Sequence, residues 1–196
     1  MKVEDIKRVA VLGAGTMGHG IAQIIAMEGI EVAIRDIEQR FLDKALEQIR
    51  WSLGKLVEKD RISAENRDES LGRIRTTLEL REAVADADFV VEAALEKLQL
   101  KKEIFKEMDE IAPSHTILAT NTSTLPITEI AEATSRPDRV VGMHFFNPPQ
   151  LMPLVEVIKG EETSDETLST TVALGKKLRK ETVVCGRDIP GFIVNR

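Results

Sequence analysis

Short apolar runs alternate with amphipathic segments along most of the chain. The strand-like runs occupy residues 9–12, 32–34, 89–92, 116–119, 140–145, 155–158 and 183–185. Apolar residues recur at helical spacing over residues 16–28, 38–58, 97–111, 125–133 and 165–179. Ser63 stands where a helix N-cap is expected, which predicts a second helix after residue 58. The alternation predicts an α/β fold with a doubly wound, mostly parallel sheet and an inserted helical hairpin.

The composition excludes several classes of protein. A hydrophobic fraction of 42% and a charged fraction of 31% are typical of a globular chain. The net charge of −6 argues against nucleic acid or an anionic membrane as the main partner. The amino terminus has no apolar core for a signal peptide, and no later stretch matches a spanning helix, so we expect a cytoplasmic protein.

The scarcity of certain side chains narrows the chemistry. The chain has no tyrosine, which excludes a mechanism that uses a phenol as acid or base. The single cysteine, Cys185, cannot form an internal disulfide. The histidines His19, His115 and His144 form no recognisable zinc-ligand pattern with it, so we expect no metal site.

A glycine-rich turn lies between the first predicted strand and the first predicted helix. Residues 13–18 read Gly-Ala-Gly-Thr-Met-Gly and satisfy the G-x-G-x-x-G pattern. In this context the first glycine permits a tight turn, the second lets a pyrophosphate approach the backbone, and the third lets helix and strand pack closely. The pattern predicts a Rossmann-type dinucleotide site. Its predicted cofactor residues are Gly13, Gly15, Thr16, Met17 and Gly18.

Asp36 completes this fingerprint. It follows the next predicted strand, 18 residues after the last glycine, close to the roughly 20 that the pattern expects. Its carboxylate would accept hydrogen bonds from ribose hydroxyls and repel a 2′-phosphate. Neither Ile37 nor Glu38 supplies a compensating cation, and Arg35 should point to the opposite face of the strand. We therefore predict NAD rather than NADP as the cofactor.

His144 and Glu156 form a candidate catalytic pair. His144 follows an apolar run and so lies near the carboxyl end of a predicted strand, where ligands bind in open parallel sheets. A carboxylate bound to one imidazole nitrogen leaves the other free to take a proton. From position alone, His144 could also be a packed core residue and Glu156 a solvated strand end.

Six blocks of sequence carry a family resemblance. They are the glycine fingerprint, residues 90–93 with Glu96 and Lys101, residues 121–123, residues 144–148, residues 154–158, and residues 190–196. In this order and spacing, the chain resembles the amino-terminal domain of the L-3-hydroxyacyl-CoA dehydrogenases of fatty-acid β-oxidation. The resemblance covers the chain from Val9 to its end.

The resemblance implies a role for each matching residue. The histidine matching His144 takes the 3-hydroxyl proton, hydride passes from C3 to the nicotinamide, and the glutamate matching Glu156 stabilises the imidazolium. Further polar residues match positions near the substrate oxygen or this pair: Ser123, Asn147 and Asn195. Glu96 and Lys101 match residues near the nicotinamide, the alternative for both being an exposed helix start. Ser52 and Lys59 fall near positions that bind coenzyme A, or are simply solvated.

The resemblance also sets expectations about the rest of the protein. We expect one NAD-binding and catalytic domain over residues 1–196. Family members usually continue into a helical domain that carries the homodimer contact, and its absence here predicts a fragment and an exposed apolar patch. Two alternatives remain open. One is a related dehydrogenase acting on hydroxybutyryl-CoA with NADP or on a sugar acid, and the other is a non-catalytic NAD-binding module.

Overall fold

Parallel strands make up most of one eight-stranded sheet in the computed structural model, which describes residues 1–195. The strand order is β3-β2-β1-β4-β5-β6-β7-β8. The strands are β1 (Arg8–Leu12), β2 (Glu31–Arg35), β3 (Ile74–Thr77), β4 (Phe89–Glu92), β5 (Ile117–Thr120), β6 (Val140–Phe145), β7 (Leu154–Ile158) and β8 (Glu181–Cys185). Strands β1 to β6 are parallel, β7 is antiparallel to β6, and β8 is parallel to β7. The predicted doubly wound α/β fold is confirmed.

Helices cover both faces of this sheet. They are α1 (Gly18–Met27), α2 (Gln39–Glu58), α3 (Ala64–Gly72), α4 (Leu80–Val84), α5 (Leu98–Ile111), α6 (Ile127–Ala131) and α7 (Asp165–Lys177). One apolar core joins α1, α2 and α7 to one face, and a second joins α4, α5 and α6 to the other. Alternate residues of β1 enter the two cores, Val9 and Val11 the first and Ala10 and Leu12 the second.

The predicted helical hairpin is present between β2 and β3. Helices α2 and α3 form it, and the Ser63 hydroxyl caps α3 by accepting a hydrogen bond from the Asn66 N–H at 3.0 Å. The sequence predicted α2 because its buried residues recur every three or four positions. Those residues are Leu42, Ala45, Ile49 and Leu53.

One of these strands and one of these α-helices were not predicted from the sequence. Strand β3 lies at the sheet edge and reads Ile-Arg-Thr-Thr, so only one of its four residues is strongly apolar. Helix α4 is five residues long, too short to show a period. Both are set by packing against β2 rather than by their own pattern.

The sheet topology creates a crevice beside β1. Strands β1 and β4 are neighbours, and the connections that follow them lead to helices on opposite faces of the sheet, α1 and α5. Open α/β sheets bind ligands at such a point. The antiparallel β7 returns alongside β6. His144 of β6 thereby pairs in register with Glu156 of β7.

Residues 1–195 contain neither a candidate membrane span nor a candidate metal cluster. None of the helices described there has the length and apolar character needed to cross a membrane. No group of three or more His, Cys, Asp or Glu side chains in the same residues is arranged to hold a metal ion.

Candidate active site

The glycine loop joins the end of β1 to the start of α1. Gly13 has a left-handed φ of 105°, and a Cβ there would lie 2.5 Å from the Ala93 carbonyl oxygen. A Cβ on Gly18 would lie 1.7 Å from the Gly13 carbonyl oxygen. Gly13 and Gly18 are therefore required by the turn itself.

Gly15 differs from its two neighbouring glycines. A Cβ built on it would meet no atom within 4 Å, so the loop does not need this glycine for its own packing. Gly15 and Thr16 are exposed, and Met17 is half-buried before the first turn of α1. An open backbone surface beside a helix amino terminus fits the close approach of a pyrophosphate.

Asp36 lies just beyond the end of β2 and contacts this loop. Its Oδ2 accepts a hydrogen bond from the Ala14 N–H at 2.7 Å, and its Oδ1 accepts one from the Ile37 N–H at 2.7 Å. Arg35 points elsewhere and donates from Nε to the Leu78 carbonyl oxygen at 3.1 Å. The side chain predicted to recognise the ribose is therefore also hydrogen-bonded to the glycine loop.

A buried ion pair lies at the carboxyl end of β4. Lys101 Nζ on α5 lies 2.7 Å from Glu92 Oε1, and the two side chains are 1% and 0% exposed. Glu92 also accepts hydrogen bonds from the Thr120 hydroxyl at 2.7 Å and the Ala94 N–H at 2.7 Å. The alternative that Lys101 is an exposed residue at a helix start is wrong. Glu92 was not singled out from the sequence, where it stands inside an apolar run.

Glu96 connects this ion pair to the end of β5. Its Oε1 accepts hydrogen bonds from the Thr122 hydroxyl at 2.6 Å and the Ser123 N–H at 2.8 Å, and its Oε2 lies 3.4 Å from Lys101 Nζ. Desolvation raises the pKa of Glu96, but these hydrogen bonds and the lysine charge outweigh it, so the pKa lies below its usual range. Glu96 is thus held as a partly exposed carboxylate beside Ser123.

His144 and Glu156 are in direct contact. His144 Nδ1 lies 2.8 Å from Glu156 Oε2, with both side chains buried. Their contact follows from the register, because residues directly opposite in an antiparallel pair project from the same face of the sheet. With Nδ1 bound to the carboxylate, Nε2 is the nitrogen left to exchange a proton.

Two aromatic rings lie beside His144, and two backbone N–H groups bind Glu156. The Phe146 ring lies 4.6 Å from the imidazole, and the Phe192 ring meets it edge-on at 5.9 Å, both measured between centroids. Glu156 Oε1 accepts hydrogen bonds from two backbone N–H groups, Ile193 at 3.0 Å and Val194 at 2.9 Å. The carboxylate is therefore buried with both oxygens satisfied.

The other predicted polar residues follow different elements of the fold and differ in exposure. Ser123 is half-buried after β5, Asn147 is exposed after β6, and Asn195 is exposed at the end of the described residues. Asn121 was not predicted, although its Oδ1 accepts a hydrogen bond from the Phe145 N–H at 2.8 Å and so ties β5 to β6 beside His144. Arg196, the last residue of the matching block, lies outside the described residues.

The predicted coenzyme A residues lie apart from the strand ends. Ser52 is half-buried near the carboxyl end of α2, and Lys59 is exposed just after that helix. They are seven residues apart, about two helical turns, with Lys59 at the C-cap of α2. Within residues 1–195, their side chains form no hydrogen bond or ion pair with the other candidate residues.

Comparison with known proteins identifies the family of this chain. The family model for the 3-hydroxyacyl-CoA dehydrogenase NAD-binding domain matches residues 8–189. The chain belongs to the 3-hydroxyacyl-CoA dehydrogenase family. The resemblance inferred from the sequence blocks is confirmed, and so is NAD as the cofactor of this domain.

The individual relatives are similar over nearly the whole chain. A Psychrobacter cryohalolentis protein named fatty acid oxidation complex subunit alpha is 47% identical over 195 residues, and the match covers 100% of this chain. A probable 3-hydroxybutyryl-CoA dehydrogenase of Deinococcus radiodurans is 46% identical, covering 96% of this chain and 67% of the relative. The crystal structure of (S)-3-hydroxybutyryl-CoA dehydrogenase from Ralstonia eutropha superposes with a TM-score of 0.95 at 41% identity. The match covers 98% of this chain and 67% of the Ralstonia chain. The chain spans 27% of the length of the Psychrobacter relative.

Proposed function

We propose that this chain oxidises L-3-hydroxyacyl-CoA to 3-ketoacyl-CoA with NAD, with His144 as the general base. The observation that carries the proposal is the buried contact of 2.8 Å between His144 Nδ1 and Glu156 Oε2. It lies at the carboxyl end of β6, the edge of the sheet at which the glycine loop lies. Membership of the dehydrogenase family supports it.

His144 and Glu156 divide the proton chemistry between them. Nε2 of His144 takes the proton of the 3-hydroxyl group as hydride leaves C3, so that the C–O single bond becomes a carbonyl. The imidazolium formed in this step is stabilised by the carboxylate of Glu156 through Nδ1. In the reverse direction the same imidazolium returns the proton to the developing alkoxide. Ser123, Asn147 and Asn195 are the polar residues proposed to lie near the substrate oxygen or this pair.

Residues at the ends of β1, β2 and β4 are proposed to hold the cofactor. Asp36 marks the adenosine side, and so the nicotinamide would lie toward the ends of β4 and β5, near Glu96 and Ser123. Lys101 is buried and would act there through Glu96. NAD, when bound, supplies the hydride acceptor.

The acyl-CoA substrate is proposed from the family and from α2. Ser52 and Lys59 supply a hydroxyl and an ammonium group at the carboxyl-terminal part of α2 and just after it, and such groups suit phosphate recognition. Relatives named 3-hydroxybutyryl-CoA dehydrogenase make a four-carbon substrate the first to test.

The extent of the catalytic domain over residues 1–196, and a homodimer formed through a further helical domain, stay predictions.

The direct test is NADH oxidation with acetoacetyl-CoA, followed by absorbance, with NADPH in parallel. We expect turnover with NADH that falls by about 10²- to 10⁴-fold in His144→Ala, while the Kd for NADH is unchanged. His115→Ala is the matched control, because the His115 side chain is exposed and contacts Asp88 rather than a candidate site residue. It should retain full activity.

Each alternative gives a different result in this assay. NADH binding without turnover, in wild type as in His144→Ala, would favour a non-catalytic NAD-binding module. Reduction of a keto sugar acid but not of acetoacetyl-CoA would favour a related dehydrogenase without a coenzyme A site. Faster turnover with NADPH would contradict the argument from Asp36.

A further inference from the structure

The last described turn of the chain closes over the catalytic pair. Residues 191–194, here called the terminal turn, follow β8 and carry two consecutive left-handed residues, Gly191 with φ 82° and Phe192 with φ 53°. A left-handed φ is rare for a bulky side chain such as phenylalanine. Such outliers persist where surrounding contacts hold them and where the conformation serves a site.

The terminal turn provides two of the contacts that satisfy Glu156. The N–H groups of Ile193 and Val194 both donate to Glu156 Oε1, at 3.0 and 2.9 Å. The other oxygen, Oε2, contacts His144. Among the described residues, Oε1 has no other hydrogen-bond donor, so departure of the turn would leave half of a buried carboxylate unsatisfied.

Phe192 anchors the turn on the same pair. Its side chain is 1% exposed and packs in the core that contains Ile158 and Cys185, and its ring meets the imidazole of His144 edge-on. By contrast, the side chains of Ile193 and Val194 are exposed. The segment is therefore attached through one buried ring and two backbone N–H groups, and both attachments converge on His144 and Glu156.

We propose that the terminal turn is a positioning device for the catalytic pair, with Phe192 as its positioning residue. Docking of Phe192 aligns the two N–H groups on Glu156, and Glu156 then holds His144 in the tautomer that exposes Nε2. The inference deepens the proposed function and depends on it for the consequence in turnover. The orientation of the pair can be observed without turnover.

Two variants test the device by different routes. Phe192→Ala removes the anchor, and Val194→Pro removes one donor to Glu156 while keeping Phe192. In both we expect the downfield proton NMR resonance of His144 Nδ1–H to shift or disappear. We expect kcat with acetoacetyl-CoA to fall roughly ten- to a hundredfold, the scale on which small misplacements act, with the Kd for NADH unchanged. Phe192→Leu, which keeps a buried apolar anchor, should recover most of the rate.

A matched control separates positioning from general loss of packing. Phe105→Ala removes an equally buried phenylalanine on α5, and it should lower stability while the His144 resonance stays in place. The resonance is assigned by its loss in His144→Gln. Retention of the resonance and of kcat in both Phe192→Ala and Val194→Pro would overturn the proposal, as would its loss in Phe105→Ala. If wild type shows the resonance but no turnover, the proposed function fails, and the resonance in the variants still decides the role of the turn.

Discussion

Lys101 and Glu92 form an ion pair that solvent does not reach. Nζ and Oε1 lie 2.7 Å apart, on the first half of α5 and at the end of β4. Glu96 shares the same lysine at 3.4 Å from the more exposed side. The buried pair therefore fixes the loop between β4 and α5, and with it the more exposed carboxylate of Glu96.

Substitution of Lys101 should be strongly destabilising. Lys101→Met leaves Glu92 as an uncompensated buried charge, so we expect the free energy of unfolding to fall by about 3–5 kcal/mol. Urea denaturation measures the change. Lys102→Met is the control, since Lys102 lies 3.6 Å from the exposed Glu132 and such surface pairs contribute about 0–1 kcal/mol.

A double variant checks that the loss comes from the stranded charge. Glu92→Gln combined with Lys101→Met removes both charges, and it should be more stable than Lys101→Met alone. Equal stability of the two variants would mean that the lysine stem, rather than its charge, supports the loop.

Gly15 and Gly18 should respond differently to alanine. Gly15→Ala places its Cβ in open space, so the free energy of unfolding should change by less than about 0.5 kcal/mol. The Kd for NADH should rise roughly tenfold or more, because the methyl group would occupy the space through which the pyrophosphate approaches the backbone. Gly18→Ala collides with the Gly13 carbonyl and should cost about 1–3 kcal/mol of stability as well as binding. Thermal unfolding and NADH titration of the two variants provide the comparison. Unchanged NADH affinity in Gly15→Ala would place the pyrophosphate elsewhere.

Cofactor preference should depend on the charge of Asp36. The double substitution Asp36→Ala with Ile37→Arg removes the repulsion of a 2′-phosphate and places a cation at an exposed position. We expect the ratio of NADPH to NADH affinity to rise roughly tenfold or more. Asp36→Asn is the control for the loop, because it removes the charge but keeps an acceptor for the Ala14 N–H. If Asp36→Asn weakens both cofactors equally, Asp36 acts through the loop rather than by recognising ribose.

Local pattern was sufficient for the glycine loop and for the position of His144. Turns and strand ends depend mainly on residues close together in the sequence. The structure places Gly13, Asp36 and His144 at the turn and strand ends that the pattern predicted. The distance between His144 and Glu156 was not accessible, because it depends on the register of an antiparallel strand that joins a parallel sheet.

Burial of charged residues was the main feature that the sequence concealed. Lys101 stands in a helix rich in charge, where a solvated lysine is the ordinary expectation, and Glu92 ends a strand. Only the tertiary structure turns these two side chains toward each other. The edge strand β3 was missed for a related reason, since its conformation depends on pairing with β2 rather than on its own composition.

The stability of the fold should fall in acid through Asp109. Desolvation raises the pKa of this carboxyl, but hydrogen bonds from Ser135 and the Arg136 guanidinium, 2.6 Å away, outweigh it and hold the pKa below its usual range. A carboxyl with a lower pKa in the folded state stabilises the fold above its unfolded pKa of about 3.9, and this contribution is lost as the pH falls through the folded pKa. Urea unfolding between about pH 5 and pH 2 should therefore show a smaller loss of stability in Asp109→Asn than in wild type. Glu107→Gln is the control, because Glu107 is exposed on the same helix. Parallel curves for wild type and Asp109→Asn would mean that the pKa of Asp109 is the same in the folded and unfolded chain, which would contradict the prediction.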